Sequence, residues 1–129
     1  MAKLQLYSLT VTKTLFQGEN AKMITKEIRK ILNERASVNE NWDFAIQQCW
    51  EKEIELLSQN IEETISFLEN DCTADEFSWL SEIFEDVAET TQSEAFINAL
   101  YVVAKKYPEE TKKYNILHFI ESAQALIDK

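Results

Sequence analysis

The chain has 129 residues, of which 45% are hydrophobic and 28% are charged. This length supports one hydrophobic core and excludes two full domains, and the hydrophobic content excludes wholesale disorder. The formal net charge is −10 and no dense basic patch occurs, which argues against direct binding of DNA or RNA, because that requires cations to replace the phosphate counterions.

The scarcity of turn residues indicates the fold class. Glycine and proline occur once each, as Gly18 and Pro108. Sandwiches and barrels need turn residues at short intervals, whereas helices need them only at their ends. We therefore expect an all-α, single-domain bundle or stack of helical hairpins with five to six helices, preceded by a short extended N-terminal segment.

Residues 1–18 differ in composition from the rest of the chain. The stretch "KLQLYSLTVTKTLFQG" is rich in Thr, Leu and Val, contains no acid and ends at Gly18. It predicts one extended segment or a short hairpin. Because Met23 is an alternative start and "TLFQG" is similar to a viral protease site used in expression vectors, residues 1–22 are alternatively a leader. Residues 23–129 are then the helical domain.

From Met23 onward the apolar residues repeat at helical spacing. A first helix is expected near residues 22–35. Its inward face holds Ile24, Ile28, Ile31 and Leu32. Asn39 or Asn41 is expected to cap a second helix. The core face of that helix holds Trp42, Ala45, Ile46, Cys49, Trp50, Ile54 and Leu57. The chain is expected to bend near residues 58–60, and a third helical face then holds Ile61, Ile65 and Leu68.

The clearest helix start lies in the middle of the chain. Thr73 and Glu76 match a capping box, in which each side chain accepts a hydrogen bond from the backbone N–H of the other residue. An inward face follows with Phe77, Leu80, Ile83, Phe84 and Val87. Ser93 or Thr91 is expected to cap the next helix, "EAFINALYVVAKKY", which is apolar nearly all round and is therefore expected at the centre of the fold.

Pro108 is expected to end this central helix, because proline cannot continue it. After the link "PEETKK", Asn115 is expected to cap a last helix. The inward residues of that helix are Ile116, Phe119, Ile120, Ala123, Leu126 and Ile127.

Cys49 and Cys72 are the only thiols. Two cysteines without a secretory context are not a disulfide framework. We expect them to be reduced and mostly buried, with a single bridge as the alternative. No apolar run approaches the length of a membrane span, and the cytoplasm is the expected compartment.

Negative charge is concentrated in the middle of the sequence. Residues 36–104 hold sixteen acids and one cation, Lys52, and the stretch "ENDCTADEFSWLSEIFEDVAE", residues 69–89, holds eight carboxylates and no Lys or Arg. Helices usually mix signs, because Glu and Lys four residues apart stabilise them. Two interpretations stay open: a solvated acidic surface, partly neutralised by the basic first helix, or a surface complementary to a cationic cleft. The second interpretation includes an acidic surface that mimics nucleic acid.

Motifs for catalysis or cofactor binding are scarce. His118 is the single histidine, and a partly buried structural role is favoured over a ligand, although Glu121 lies three residues on. The acidic "ENDCTADE" lacks the alternating ligands and central glycine of a calcium loop. Phosphate loops and zinc signatures are missing. We therefore predict no enzyme activity, no metal and no cofactor.

The aromatic residues give one candidate binding anchor. Trp79 lies about 100° from Leu80 around its helix and is flanked by Asp75, Glu76 and Glu82. An aromatic ring among carboxylates is suited to a protein interface, because Trp residues dominate interface energetics. Burial of Trp79 at the edge of the core is the alternative.

The stretch "FLENDCTADEFSWLSEIFEDVAETTQSEAFINAL", followed by "KKYPEETKKYNI", resembles small bacterial helical proteins that are similar to the immunity proteins of contact-dependent growth inhibition and other polymorphic toxin systems. The resemblance covers roughly residues 60–127. It implies a protein that binds one cognate toxin, often a nuclease, and blocks its active site or substrate path.

Charge and aromatic placement together predict the partner-binding residues Glu69, Asp71, Asp75, Trp79, Glu82, Glu85 and Asp86. The expected partner is a protein toxin with a cationic surface. A structural or adaptor helical protein with incidental acidity, including one that forms a homo-oligomer, is the alternative. An enzyme that uses His118 with carboxylates is the least favoured function.

Overall fold

The computed structural model describes residues 23–128, and this part of the chain forms an all-α, single-domain bundle, as predicted. Its helices are α1 (23–37), α2 (Asp43–Gln59), α3 (Ile61–Asn70), α4 (Ala74–Leu80), α5 (Phe84–Thr91), α6 (Glu94–Lys106), α7 (Pro108–Lys113) and α8 (Ile116–Ala125). A 3-10 turn, Ser81–Ile83, joins α4 to α5. The predicted extended segment or leader, residues 1–22, lies outside the described residues.

The described residues contain more helices than the five or six expected, because the 3-10 turn divides one predicted helical face into α4 and α5 and because one predicted link is a helix. The bend predicted near residues 58–60 is confirmed: Asn60 is extended, and its Oδ1 accepts a hydrogen bond from the backbone N of Glu63 at 3.3 Å, so that α3 begins separately from α2. The link predicted at "PEETKK" is instead helix α7. Pro108 occupies its first turn, where the missing N–H is not needed and the fixed φ suits a helix.

The start of α2 corrects two predictions. Asn39 and Asn41 form a turn, in which Asn39 Oδ1 accepts from the backbone N of Asn41 at 2.9 Å, and neither caps the helix. Trp42 occupies the N-cap position, and 61% of it is exposed. Because α2 begins only at Asp43, Trp42 does not share the helical face that buries Ile46. The prediction that Trp42 lies in the core is therefore wrong.

Two other helix starts agree with the sequence. In the capping box, Thr73 Oγ1 accepts from the backbone N of Glu76 at 3.2 Å, and Glu76 Oε1 accepts from the backbone N of Thr73 at 2.9 Å. Ser93, one of the two residues proposed for the next cap, accepts from the backbone N of Phe96 at 3.0 Å. At a third start, Asn115 occupies the N-cap position of α8 as predicted, with a left-handed backbone at φ 54°, but its side chain makes no capping hydrogen bond within residues 23–128.

Residues of several helices form one core, in which α6 packs against α3, α7 and α8. Three buried phenylalanine rings pack together in the core: the ring centroid of Phe84 lies 5.4 Å from that of Phe77 and 6.4 Å from that of Phe96. Such tilted and edge-to-face pairs are favourable beyond the area they bury. The central position predicted for α6 is not confirmed, because Val102 on this helix is 53% exposed and α8 also packs against several elements, namely α5, α6, α7 and the 3-10 turn.

The last helix and the cysteines give a mixed outcome. Cys49 and Cys72 are buried free thiols, as predicted, and the alternative of a bridge between them is excluded. The predicted inward face of α8 is only partly correct, because Phe119 and Leu126 are more than a third exposed. The remaining four residues of that face are buried: Ile116, Ile120, Ala123 and Ile127.

Helix α1 runs parallel to the segment 71–82. Its side chains contact residues 46 or 47 positions further along the chain at three successive levels. These contacts join Thr25 to Asp71, Arg29 to Glu76, and Arg35 to Glu82. The nearly constant offset places the arginines of α1 beside part of the acidic stretch.

Candidate functional site

Five of the predicted partner-binding acids are exposed, and within residues 23–128 they form no ion pair. We call them the unpaired acids: Glu69, Asp71, Asp75, Glu85 and Asp86. The first two lie at the end of α3, and Asp75 lies in the first turn of α4. The last two lie in the first turn of α5, where negative charge is favoured by the helix dipole.

Helix α5 brings like charges together. Burial and the negative charges of Glu85 and Glu89 raise the pKa of Asp86. All three side chains are exposed, and none forms an ion pair with a described residue. The repulsion among them is therefore retained in the folded protein, at some cost in stability.

Glu82 is half-buried, and hydrogen bonds hold its carboxylate against the protein. Its Oε1 accepts hydrogen bonds from Arg35 Nε at 3.0 Å and from Trp50 Nε1 at 3.1 Å, and its Oε2 accepts from Arg35 Nη2 at 2.7 Å. The fork of the guanidinium suits this two-point contact. The charge of Glu82 is thus neutralised internally, although its role in partner binding stays a prediction.

Glu76 is neutralised in the same way by Arg29. Arg29 Nε donates to Glu76 Oε2 at 2.7 Å, and Arg29 Nη2 donates to the carbonyl of Asp71 at 2.8 Å. Burial alone would raise the pKa of Glu76, but the hydrogen bonds from Arg29 and the Thr73 backbone outweigh it and lower the pKa. The basic first helix therefore neutralises Glu76 and Glu82 and contacts Asp71 through Thr25 and Arg29, whereas Glu69, Asp75, Glu85 and Asp86 form no ion pair with a described residue.

Trp79, the predicted anchor, is half-buried and packs against the core. The guanidinium carbon of Arg35 lies 5.0 Å from its ring centroid, so one face of the ring is already used in a cation–π contact. Among residues 23–128 the most exposed aromatic rings lie elsewhere, on Trp42 and on Phe44, which is 67% exposed.

The sequence interpretation misses Trp42 and Phe44 as surface residues. They alternate with two exposed acids, Glu40 and Asp43, in the stretch "ENWDF". The available signal is a pair of asparagines, Asn39 just before this stretch and Asn41 within it. Because Asn favours turns, this pair moves the helix start beyond Trp42.

Glu53 is an acid that contributes nothing to the surface. It is fully buried, and among the described residues neither carboxyl oxygen has a hydrogen-bond partner. Burial and the nearby Glu82 carboxylate raise the pKa of Glu53 to about 8, against the opposing effect of Arg35. The spacing of Cys49, Glu53 and Leu57, four residues apart, places it on the buried face of α2.

The structure gives little support for catalysis. His118 is exposed, so the prediction of partial burial is wrong, and its ring lies 5.7 Å from that of Phe119. Burial raises the pKa of both thiols, that of Cys72 to about 12, and a protonated thiol is a poor nucleophile. Between residues 23 and 128 no three His, Cys, Asp or Glu side chains converge where they could hold a metal ion.

Comparison with known proteins does not assign a family to the chain. It matches no family model, no curated protein and no solved structure. Among the helices of residues 23–128, none combines the length and the apolar character that crossing a membrane requires.

Proposed function

We propose that this protein is a cytoplasmic immunity protein, which binds one cognate basic toxin and occludes its active site or substrate path. The toxin proposed is a nuclease, because a nuclease presents a cationic cleft to the phosphate backbone of its substrate. The protein itself then acts by binding and carries out no reaction. The resemblance of residues 60–127 to immunity proteins and the charge distribution support this proposal.

The observation that carries the proposal is selective neutralisation. Within residues 69–89 the chain pairs Glu76 with Arg29 and Glu82 with Arg35. The unpaired acids form no ion pair with a described residue, although Arg29 lies near Asp71 and attracts it. On α5 this arrangement includes repulsion between Glu85, Asp86 and Glu89. A protein that needed only a soluble surface would gain stability from mixed charges.

The unpaired acids would act first on the rate of encounter. Opposite potentials on two proteins steer diffusional association and disfavour wrong partners. Once docked, Lys and Arg of the toxin would replace the missing partners of Asp75, Glu85 and Asp86. The exposed rings of Trp42 and Phe44 offer the aromatic area that commonly supplies most of the binding energy at an interface.

The ion pairs Arg29–Glu76 and Arg35–Glu82 would fix the backbone that carries the unpaired acids. Arg35 fixes Glu82 and covers Trp79, so these two predicted site residues would support the neighbouring acids and lose little conformational entropy on binding.

The test requires the toxin, for which the first candidate is a large reading frame next to the gene. Inhibition of its activity is measured with the triple variant Asp75→Lys, Glu85→Lys, Asp86→Lys. We expect inhibition to be lost with helicity unchanged. The matched control reverses three acids of α7 and α8: Glu109, Glu110 and Glu121. Unaltered inhibition by the first variant, or equal loss in both, would contradict the proposed surface.

A second candidate function is a structural or adaptor protein that associates with itself. The observation in its favour is the set of exposed apolar side chains on α6, on α8 and between α7 and α8: Val102, Tyr114, Leu117, Phe119 and Leu126. Sedimentation analysis separates the two functions, because self-association through these residues predicts a dimer that Leu117→Glu dissociates.

A further inference from the structure

A cleft between α6, α7 and the start of α8 is lined by both apolar residues and lysines. Its volume is about 500 Å³, within the range of about 300–1,000 Å³ that small-molecule sites occupy. Ala104, Pro108 and Leu117 supply apolar surface, and Lys105 and Lys112 line the same cleft. This is a distinct chemical environment in a chain whose formal net charge is −10.

The four lysines of this region divide into two kinds. The ammonium groups of Lys106 and Lys113 lie 5.3 and 5.2 Å from the ring centroids of Tyr107 and Tyr114, respectively. Lys105 and Lys112 instead line the cleft. Within the part of the chain that the structure describes, neither forms an ion pair, although the chain holds 23 acids.

The walls of the cleft are held in place by hydrogen bonds. The hydroxyl of Thr111 donates to the carbonyl of Ala104 at 3.2 Å and so ties α7 to α6. The hydroxyl of Tyr101 donates to Gln124 Oε1 at 2.9 Å and ties α6 to α8. The shape is therefore set without a ligand, as is usual for small-molecule sites.

We infer that this cleft binds a small amphipathic carboxylate. Its hydrocarbon body lies on Ala104, Pro108 and Leu117, and its carboxylate faces the ammonium groups of Lys105 and Lys112. The apolar lining residues suit a hydrocarbon body. The two lysines suit a negatively charged head group, because a carboxylate beside them gains charge-assisted hydrogen bonds. The size of the cleft favours a single small molecule over a polypeptide.

The test uses decanoate as the probe and the full-length ¹⁵N-labelled protein. Titration below the micelle concentration should shift amide resonances between Tyr101 and Leu117 with a single saturable affinity. Lys105→Glu and Lys112→Glu should each weaken binding about tenfold. The matched control, Lys113→Glu on the same helix as Lys112, should change the affinity by less than about twofold.

Two further measurements make the proposal falsifiable without reference to folding. Decanol, which has the same body and no charge, should bind about tenfold more weakly than decanoate. Equal binding of decanol, equal loss in Lys113→Glu, or shifts that do not centre on the cleft would overturn the inference. The inference would also be overturned if sedimentation without the probe showed a dimer that Leu117→Glu dissociates, because a second copy would then occupy the cleft.

Discussion

Arg35 binds the carboxylate of Glu82 through two guanidinium nitrogens, Nε at 3.0 Å and Nη2 at 2.7 Å. The Arg35 side chain is 7% exposed and that of Glu82 is 27% exposed. Such a pair is shielded from solvent, and the loss of one member leaves the other charge without its partner in a poorly hydrated place. The pair also connects α1 to the turn before α5 and so fixes the position of the acidic residues that follow.

Replacement of Arg35 should therefore be costly. We expect Arg35→Met to lower the free energy of unfolding by about 2–4 kcal/mol, because Glu82 loses its charged donor and Trp79 loses its cation–π contact. Urea denaturation measures the effect. The control is Lys52→Met, which breaks an exposed pair with Glu34 and should cost no more than about 1 kcal/mol. Equal losses would show that the buried pair has no special weight.

Glu53 should make stability fall as the pH rises. Its pKa is raised from 4.5 to about 8, so between these values the folded protein holds a proton that the unfolded chain has released. Raising the pH through this window therefore lowers the free energy of unfolding.

Glu53→Gln should remove that dependence and be more stabilising relative to the parent at pH 8 than at pH 5. Urea denaturation at several pH values measures it, with the exposed neighbour Glu55→Gln as control. A parent and a Glu53→Gln protein with the same pH slope would rule out this carboxyl as the source.

Glu89→Lys should stabilise the fold while reducing the negative charge of α5. The introduced ammonium group would lie four residues after Glu85 and near the helix C-terminus, and both placements are favourable. We expect a gain of about 0.5–1 kcal/mol and a fall in the pKa of Asp86, which NMR titration measures. Glu85→Lys is the control, because a cation in the first turn opposes the helix dipole. A gain of the same size there would contradict the explanation.

The two tryptophans of α2 and its N-cap should respond oppositely to truncation. Trp42 is 61% exposed, and Trp42→Ala should change stability by less than about 0.5 kcal/mol. Trp50 packs against the core and donates to Glu82, and Trp50→Ala should cost about 2–4 kcal/mol. Thermal unfolding compares the variants. A large loss in Trp42→Ala would mean that this ring is covered in solution.

Local patterns in the sequence predict most of this fold. The capping box at Thr73 and the apolar period of the helices depend on residues a few positions apart, so a sequence shows them directly. Trp42 is misplaced because the helical period extends one residue beyond the helix start. The half-exposed face of α8 is missed because periodicity does not show how many neighbours cover a helix.

The candidate site is less predictable, because it depends on which distant residues meet. The sequence shows that Glu76 and Glu82 are acidic, but their arginine partners lie 47 residues away. Periodicity alone does not reveal that pairing. Burial of Glu53 is visible in principle from its spacing with Cys49 and Leu57, yet acids are rarely buried, and this expectation outweighs the pattern.

Because α1 lies parallel to residues 71–82, its arginines neutralise part of the negative charge of the acidic stretch. If α1 were displaced, the carboxylates of Glu76 and Glu82 would lose their arginines, and the outward electric field would strengthen without any change in sequence. The attraction for a cationic ligand is thus linked to the docking of one helix.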